Sequence, residues 1–562
     1  MQILFAPINP IVGDIEGNAL MIERVIQEAA AAGDALVVTP ELALCGYPPK
    51  DLLWQEQFVE QCMRTADRIG MSSPASLTII IGTPWRSEAG AVHNALAAYR
   101  GGVRLHVYFK RLLPTYDVFD EHRYFTPGDR AGVIEVPAGG RTVRVGLAIC
   151  EDLWRGEDAG FASRYRELAD PIAALHLESC DCVISPSASP FVSGKVDRHR
   201  TIIQTAAKRL GLPVYSVNQL GGNDELIFDG HVFGFDASGS EIVSRPRFVD
   251  GTVRVSLGER HDISPRSCDH ADLFDALTLG VRDYLRKTGF TSALIGLSGG
   301  IDSALTAAIA CAAIGPSRVH GLAMPSKYSS DHSIQDALDL ATNLGMRCDV
   351  VPIQDGFDHL SCAADHYFAS RGLSRIGERL PDITEENLQS RIRGTLIMAA
   401  SNRTGSIVLT TGNKSEMAVG YCTLYGDMNG GLAVLSDVTK QWVYRLSRWI
   451  NANHGRCGFP VAPIPMRSIE KAPSAELRPN QTDQDSLPPY DILDAIIEAA
   501  VEERKSAAAI IAMGFDEPTV RRILRLIDVS EYKRKQAALG LKVTTVAFGS
   551  GRRWPIASKR GF

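Results

Sequence analysis

Short apolar runs punctuate the first 255 residues or so, separated by stretches of helical periodicity. Ala35-Leu36-Val37-Val38, Leu77-Thr78-Ile79-Ile80-Ile81, Val143-Arg144-Val145-Gly146-Leu147-Ala148-Ile149 and Cys182-Val183-Ile184 each end at a turn signal or a polar residue. The N-terminal Met1-Gln2-Ile3-Leu4-Phe5-Ala6-Pro7 has the same character and reads as a first strand. Such alternation predicts an α/β domain over 1–256. Residues 257–270 are polar and rich in turn formers, which predicts a linker. A second α/β pattern follows over 271–562, with strands expected at 293–297, 318–323, 348–353 and 407–410. Its intervening helical patterns fit a doubly wound parallel sheet. Two polar stretches, about 362–390 and 463–490, read as long mobile loops of the kind that cover substrates.

Composition narrows this little. The chain has 562 residues, 45% hydrophobic and 22% charged, with room for two to four domains. A net charge of -6 gives no electrostatic case for nucleic acid. Local basic runs at Lys533-Arg534-Lys535 and Arg552-Arg553 read as solvated faces. The 11 cysteines are scattered, and the closest pair is Cys180 and Cys182. That argues for a reducing compartment and against a disulfide framework or structural zinc. No apolar run is long enough for a bilayer, and no leader pattern opens the chain, so a cytoplasmic protein is expected.

One loop carries specific chemistry. Gly296-Leu297-Ser298-Gly299-Gly300-Ile301-Asp302-Ser303 follows an apolar run and opens a helical stretch, 304–314. Glycines permit close backbone approach, and successive N–H groups at a helix start present positive charge to an anion. Asp302 stands where a carboxylate meets phosphate-bound Mg²⁺. The pattern lacks the lysine of a Walker loop. It resembles the SGGxDS loop of ATP pyrophosphatases, which cleave ATP between its α and β phosphates.

The first half carries a candidate nucleophile. Cys150 ends a strand pattern and precedes Glu151-Asp152-Leu153-Trp154. Glu41, in Pro40-Glu41-Leu42-Ala43-Leu44-Cys45-Gly46-Tyr47, follows another strand; Lys110, in Tyr108-Phe109-Lys110-Arg111-Leu112-Leu113-Pro114, follows a third. Three such residues at strand ends of one domain can meet at one point. The set resembles the Glu–Lys–Cys triad of the nitrilase, or carbon–nitrogen hydrolase, superfamily. That resemblance implies an αββα sandwich, Cys150 as nucleophile on the glutamine side-chain amide, Glu41 as general base and acid, and Lys110 as oxyanion stabiliser. Glu121, in Phe119-Asp120-Glu121-His122-Arg123, resembles the family's second glutamate. The stretch Ser185-Pro186-Ser187-Ala188-Ser189-Pro190-Phe191 resembles the glutamine-binding segment of the glutaminase branch. It implies that Tyr116, Ser189 and Lys195 grip the substrate's amino-acid end.

In the second half, Met324-Pro325-Ser326-Lys327-Tyr328-Ser329-Ser330, Glu385-Glu386-Asn387-Leu388-Gln389-Ser390-Arg391-Ile392-Arg393-Gly394 and Thr411-Gly412-Asn413-Lys414-Ser415-Glu416 accompany the glycine loop. The last continues through Tyr425-Gly426-Asp427 to Leu435-Ser436-Asp437-Val438-Thr439-Lys440. Together they resemble the glutamine-dependent NAD⁺ synthetase family over nearly the whole chain. The resemblance implies amidation of deamido-NAD⁺, with ATP split to AMP and pyrophosphate. Residues 296–303, Thr411 and Lys440 would bind ATP; Asn387, Glu416 and Lys533 would contact deamido-NAD⁺. Asp302 and Glu416 would hold Mg²⁺, which leaves Glu416 between metal and dinucleotide. The segment Lys471-Ala472-Pro473-Ser474-Ala475-Glu476-Leu477 resembles the family's lid, with Ser474 toward ATP. A passage for ammonia between the domains and a homo-oligomer, at least a dimer through the synthetase domain, are also expected. The alternative is an amidotransferase of the same superfamily acting on another carboxylate or base.

Overall fold

The protein, described here from a computed structural model, is defined over residues 1–155, 162–376 and 382–558. It divides into two units, Met1–Asp272 and Leu273–Phe562.

In the first unit, two six-stranded sheets pack face to face. One runs Val253–Ser256, Gln2–Phe5, Leu36–Val38, Thr78–Arg86, Val92–Arg100, Val103–Phe109; the other runs Glu241–Ser244, Val232–Phe235, Val214–Asn218, Cys182–Ser187, Arg141–Leu147, Gly132–Ala138. Side chains alternate across each strand as the pleat requires. Ile3, Phe5, Leu36, Val38 and Ile80 meet Val143, Val145, Leu147, Cys182 and Ile184 between the sheets. Leu4, Val37, Ile79 and Ile81 turn outward, against helices Ile15–Ala32 and Glu56–Met71. On the far side Val183, Val214 and Phe233 pack on helices Pro171–Leu177 and Val196–Leu210. The layers are therefore αββα. Inner strands such as Leu36–Val38 and Cys182–Ser187 bury both faces, so they read as continuous apolar runs instead of apolar–polar alternation.

The second unit is a six-stranded sheet in the order Arg347–Val350, Val319–Ala323, Ala293–Gly296, Ile407–Thr410, Leu432–Ala433, Leu539–Gly540. Every neighbouring pair is parallel. In chain order this is 3-2-1-4-5-6, so the sequence reverses direction between Ala293–Gly296 and Ile407–Thr410. Ligands bind doubly wound sheets at that switch point, beyond the carboxyl ends of the strands. The helix Ile301–Ile314 is apolar nearly all round, and its buried positions cover every face. Leu294, Val408 and Met324 pack with Ile392, Ile397 and Phe357 in a further core cluster.

Three expectations change, wholly or in part. The stretch 362–390 is largely helical where described: helix Gln354–Ser370 covers its start and helix Ile383–Thr404 its end, while 377–381 lies outside the described residues. The stretch 463–490 contains helix Met466–Glu470 and a short turn of helix at Asp483–Asp485, and is otherwise mostly irregular. The basic run at 533–535 is no solvated face, since Arg534 is buried against Glu531. No helix among the described residues is long and apolar enough to cross a membrane.

Candidate active sites

In the first unit, strand ends deliver Glu41, Lys110 and Cys150 to one place. The Lys110 ammonium donates to Glu41 Oε1 at 2.6 Å and to Glu121 Oε1 at 2.8 Å, with all three side chains buried. Asn94 Nδ2 bridges the two carboxylates, at 2.7 Å from Glu41 Oε1 and 3.4 Å from Glu121 Oε2. Glu41 Oε2 accepts from the Ala188 backbone N–H at 2.8 Å, and the Tyr47 hydroxyl donates to Glu121 Oε1 at 2.9 Å.

Cys150 stands between strand Arg141–Leu147 and helix Glu151–Trp154 with φ 43° and ψ -99°, a sparsely populated positive-φ conformation that costs a non-glycine residue about 1 kcal/mol or more. Its N–H donates to Pro186 O at 3.0 Å, which ties the turn to the 185–191 segment. Burial pushes the Cys150 thiol well up, Glu41 adds to this, and the Lys110 charge opposes it. The resting sulfur therefore carries its proton. Burial disfavours the Lys110 ammonium, but Glu121, Glu41 and Cys150 together outweigh it and hold the lysine charged. Burial, with Glu41, lifts Glu121 to about 7 against the pull of Lys110.

The Tyr116 hydroxyl donates to Glu151 Oε2 at 2.8 Å, beside the cysteine turn. Ser189 is buried, and Asn218 clasps its backbone through N–H and C=O at 2.8 and 2.9 Å. Lys195 is half-buried at the start of helix Val196–Leu210. The contacts of Asn94, Tyr47 and Asn218 escape a reading of the sequence. Each joins chain-distant elements, and nothing in its local pattern signals it.

In the second unit the glycine loop lies at the switch point. Gly299 has φ 77°, and a Cβ there would stand 2.2 Å from Ser333 O, so only glycine fits. Ser303 Oγ donates to Gly300 O at 2.9 Å, and Ser468 Oγ donates to Gly299 O at 2.9 Å. Asp302 starts helix Ile301–Ile314 and meets two partners. Asn413 Nδ2 donates to its Oδ1 at 2.8 Å, and Lys440 Nζ donates to its Oδ2 at 2.5 Å. Lys440 also reaches Glu416 Oε1 at 3.1 Å. Far from an exposed helix lysine, Lys440 is buried. Burial works against its charge, but Asp302 and Glu416 overcome this and raise its pKa. Burial, with Asp302 and Asp483, lifts Glu416 to about 8 while Lys440 pulls the other way. Asn413 Oδ1 caps helix Lys414–Val419 by accepting from Glu416 N–H at 3.0 Å, and Glu416 Oε2 accepts from Asn413 N–H at 3.2 Å.

Thr411 is half-buried, just past strand Ile407–Thr410. Asn387 lies inside helix Ile383–Thr404, whose cap is Asp382, and accepts from the Thr423 hydroxyl at 2.8 Å. Lys533 Nζ donates to Gly420 O and Cys422 O at 2.7 and 2.6 Å. Asn387 and Lys533 thus converge on 420–423, directly after the helix that carries Glu416. In the 471–477 segment, Ser474 Oγ is turned to Gln481 O at 2.5 Å. Glu476 and Lys471 latch onto Ser333, with Ser333 Oγ 2.9 Å from Glu476 Oε1 and 2.7 Å from Lys471 Nζ.

Comparison with known proteins follows the same division. Residues 6–259 match the carbon-nitrogen hydrolase family model, and residues 273–537 match that of NAD synthase. The glutamine-dependent NAD(+) synthetase of Synechocystis sp. is 44% identical, over 99% of this chain and 98% of the relative. That of Rhodobacter capsulatus is 40% identical, over 99% and 98%. Among solved structures, the glutamine-dependent NAD⁺ synthetase of Acinetobacter baumannii in complex with ADP matches with a TM-score of 0.76 and 35% identity, over 99% of this chain and 98% of that one. The corresponding synthetase of Cytophaga hutchinsonii, at 22% identity and a TM-score of 0.82 over 99% and 98%, shows the shared fold.

A carbon–nitrogen hydrolase unit followed by an NAD synthase unit defines a class of enzyme with two reaction centres on one chain. The chain belongs to the glutamine-dependent NAD(+) synthetase family.

Proposed function

We propose that this enzyme converts deamido-NAD⁺ to NAD⁺, using glutamine as nitrogen donor and splitting ATP to AMP and pyrophosphate. The observation that carries the reading is the presence, on one chain, of the buried Glu41–Lys110–Glu121 cluster beside Cys150 and of the Asp302–Lys440–Glu416 cluster at the switch point.

Glutamine hydrolysis follows from the first cluster. The protonated Cys150 thiol gives its proton to Glu41 as the sulfur attacks the side-chain amide carbon. Lys110, held charged by its two carboxylates, stabilises the oxyanion. Glu41 returns the proton to the departing ammonia, then activates the water that releases glutamate from the thioester. Tyr116, Ser189 and Lys195 hold the amino-acid end of glutamine.

The second cluster fits adenylylation. Residues 296–303 and Thr411 receive ATP, with the N–H groups of the loop toward its phosphates. The nicotinate carboxylate of deamido-NAD⁺ attacks the α-phosphorus, pyrophosphate leaves, and ammonia then displaces AMP. Lys440 offsets phosphate charge, while Asn387, Glu416 and Lys533 serve the dinucleotide. Asp302 and Glu416 are hard oxygen donors that face one lysine nitrogen, and carboxylates of this kind suit Mg²⁺. When bound, Mg²⁺ would neutralise charge on the phosphate oxygens. Ammonia from the first reaction is the nitrogen consumed in the second. Assembly through the second unit belongs to the same reading, supported by the exposed Leu360, Tyr367, Leu373 and Ile383. Light scattering of the purified enzyme tests it.

The deciding experiment supplies ATP, Mg²⁺ and glutamine with deamido-NAD⁺, XMP or aspartate in turn. AMP forming with deamido-NAD⁺ is expected; AMP forming only with XMP or aspartate assigns a different acceptor. Labelled glutamine competed against unlabelled ammonium tests the transfer of ammonia. Product carrying mainly the glutamine nitrogen is expected, and full dilution by ammonium defeats the passage.

A further inference from the structure

Asp152 lies two residues beyond Cys150 and has no part in the roles above. Its side chain is fully buried, and four donors converge on it. Oδ1 accepts from the backbone N–H groups of Arg111 and Leu112 at 3.0 and 2.9 Å. Oδ2 accepts from the Ile149 N–H at 2.9 Å and from the Tyr108 hydroxyl at 2.8 Å. Arg111 and Leu112 directly follow Lys110, and Ile149 directly precedes Cys150. One carboxylate therefore ties the lysine segment to the cysteine turn. The strands that end in these segments, Val103–Phe109 and Arg141–Leu147, belong to different sheets. No ladder sets their relative register, and burial of a carboxylate is tolerated here because every donor is aimed at it.

We propose that Asp152 is a positioning residue of the glutaminase reaction, setting the placement of the Lys110 ammonium relative to the Cys150 sulfur. The inference rests on the roles given above to Cys150 and Lys110. Asp152 does not touch glutamine; it acts through the two groups that do. Asp152→Asn keeps the shape but turns one acceptor oxygen into a donor, so two of the four donors face an NH₂ whichever way the amide lies.

The test measures glutamine-dependent and ammonia-dependent NAD⁺ formation on the full-length enzyme. For Asp152→Asn, kcat with glutamine falls ~100-fold, as expected of a misplaced reacting group. KM for glutamine stays within about twofold, because uniform substrate binding is untouched. Ammonia-dependent synthesis is unchanged, which reports an intact fold. Tyr108→Phe removes one donor and lowers kcat alone, by a smaller factor of roughly three- to tenfold. If Asp152→Asn does not accumulate as folded protein, Tyr108→Phe decides by itself. An unchanged kcat, a rise in KM alone, or an equal fall with ammonia overturns the proposal. Wild-type enzyme inactive with glutamine would instead defeat the underlying reading, whereas active wild type with a fully active variant defeats only this inference.

Discussion

Each unit builds its centre from a lysine held between two carboxylates, and the two clusters differ in how much water reaches them. Around Lys110 the lysine, Glu41 and Glu121 side chains are 1%, 1% and 5% exposed. Around Lys440 the corresponding values for the lysine, Asp302 and Glu416 are 3%, 18% and 16%. A dry cluster keeps its charges fixed and suits proton transfer to and from a neighbouring thiol. A cluster with partly open carboxylates can exchange one cation for another, which suits phosphate chemistry. The first also has a cysteine in a positive-φ turn, and the second a loop that only glycine fits at Gly299.

Substitutions can break this comparison at several levels. Asp302→Ala has the widest expected effect: synthesis from glutamine and from ammonia both fall by on the order of 1,000-fold or more, while glutamate release persists. Chromatography of AMP, NAD⁺ and glutamate checks all three, and retained synthesis would detach Asp302 from the ATP reaction. Cys150→Ala should remove glutamine-driven synthesis to a similar extent yet spare ammonia-driven synthesis. Normal use of glutamine by that variant would dissolve the contrast between the clusters. Glu121→Gln leaves Lys110 with one carboxylate, and kcat with glutamine should drop ~100-fold with ammonia-driven synthesis intact; steady-state kinetics decide.

Smaller effects sharpen the difference. Gly299→Ala puts a methyl group against Ser333 O and forces a positive φ on alanine, costing about 2 kcal/mol of stability in the second unit. Denaturant unfolding reads it, and an unchanged midpoint would show that the cradle relaxes. Finally, Glu416, proposed above as a Mg²⁺ ligand, has its carboxyl raised to about 8, so in that role a proton would compete with the metal below that pH. The Mg²⁺ concentration for half-maximal synthesis should therefore fall, by at most ~10-fold per pH unit, as pH rises from about 7 toward 8. A requirement that is flat or rises with pH argues that Glu416 is no metal ligand.

Much of this was legible because the chemistry is local. The glycine loop, the strand preceding it and the helix following it are contiguous, and apolar runs mark strands buried on both faces. Residues 362–390 were misread for a physical reason. Asp382, Thr384, Glu385 and Glu386 resemble a loop by composition, but Asp382 and Glu385 form a capping box at the start of helix Ile383–Thr404. That helix buries few residues, so it carries little amphipathic signal. Asn94 and Asp152 were hidden for the opposite reason. Their side-chain partners are 27 to 53 residues away along the chain, except for the link from Asp152 to Ile149, and only folding brings them together.

Asn413 illustrates how narrow the choice at one position can be. Its amide oxygen closes the first turn of helix Lys414–Val419 while its amide nitrogen grips Asp302. Serine or threonine could serve the helix but would not extend to the acid. Aspartate could serve the helix too, yet would set a second negative charge against Asp302. A carboxamide of this length combines opposite hydrogen-bonding polarities at a single branch point. The orientation of one helix and the aim of an acid in the first turn of another are thereby locked together, and a mutation that loosens one loosens the other.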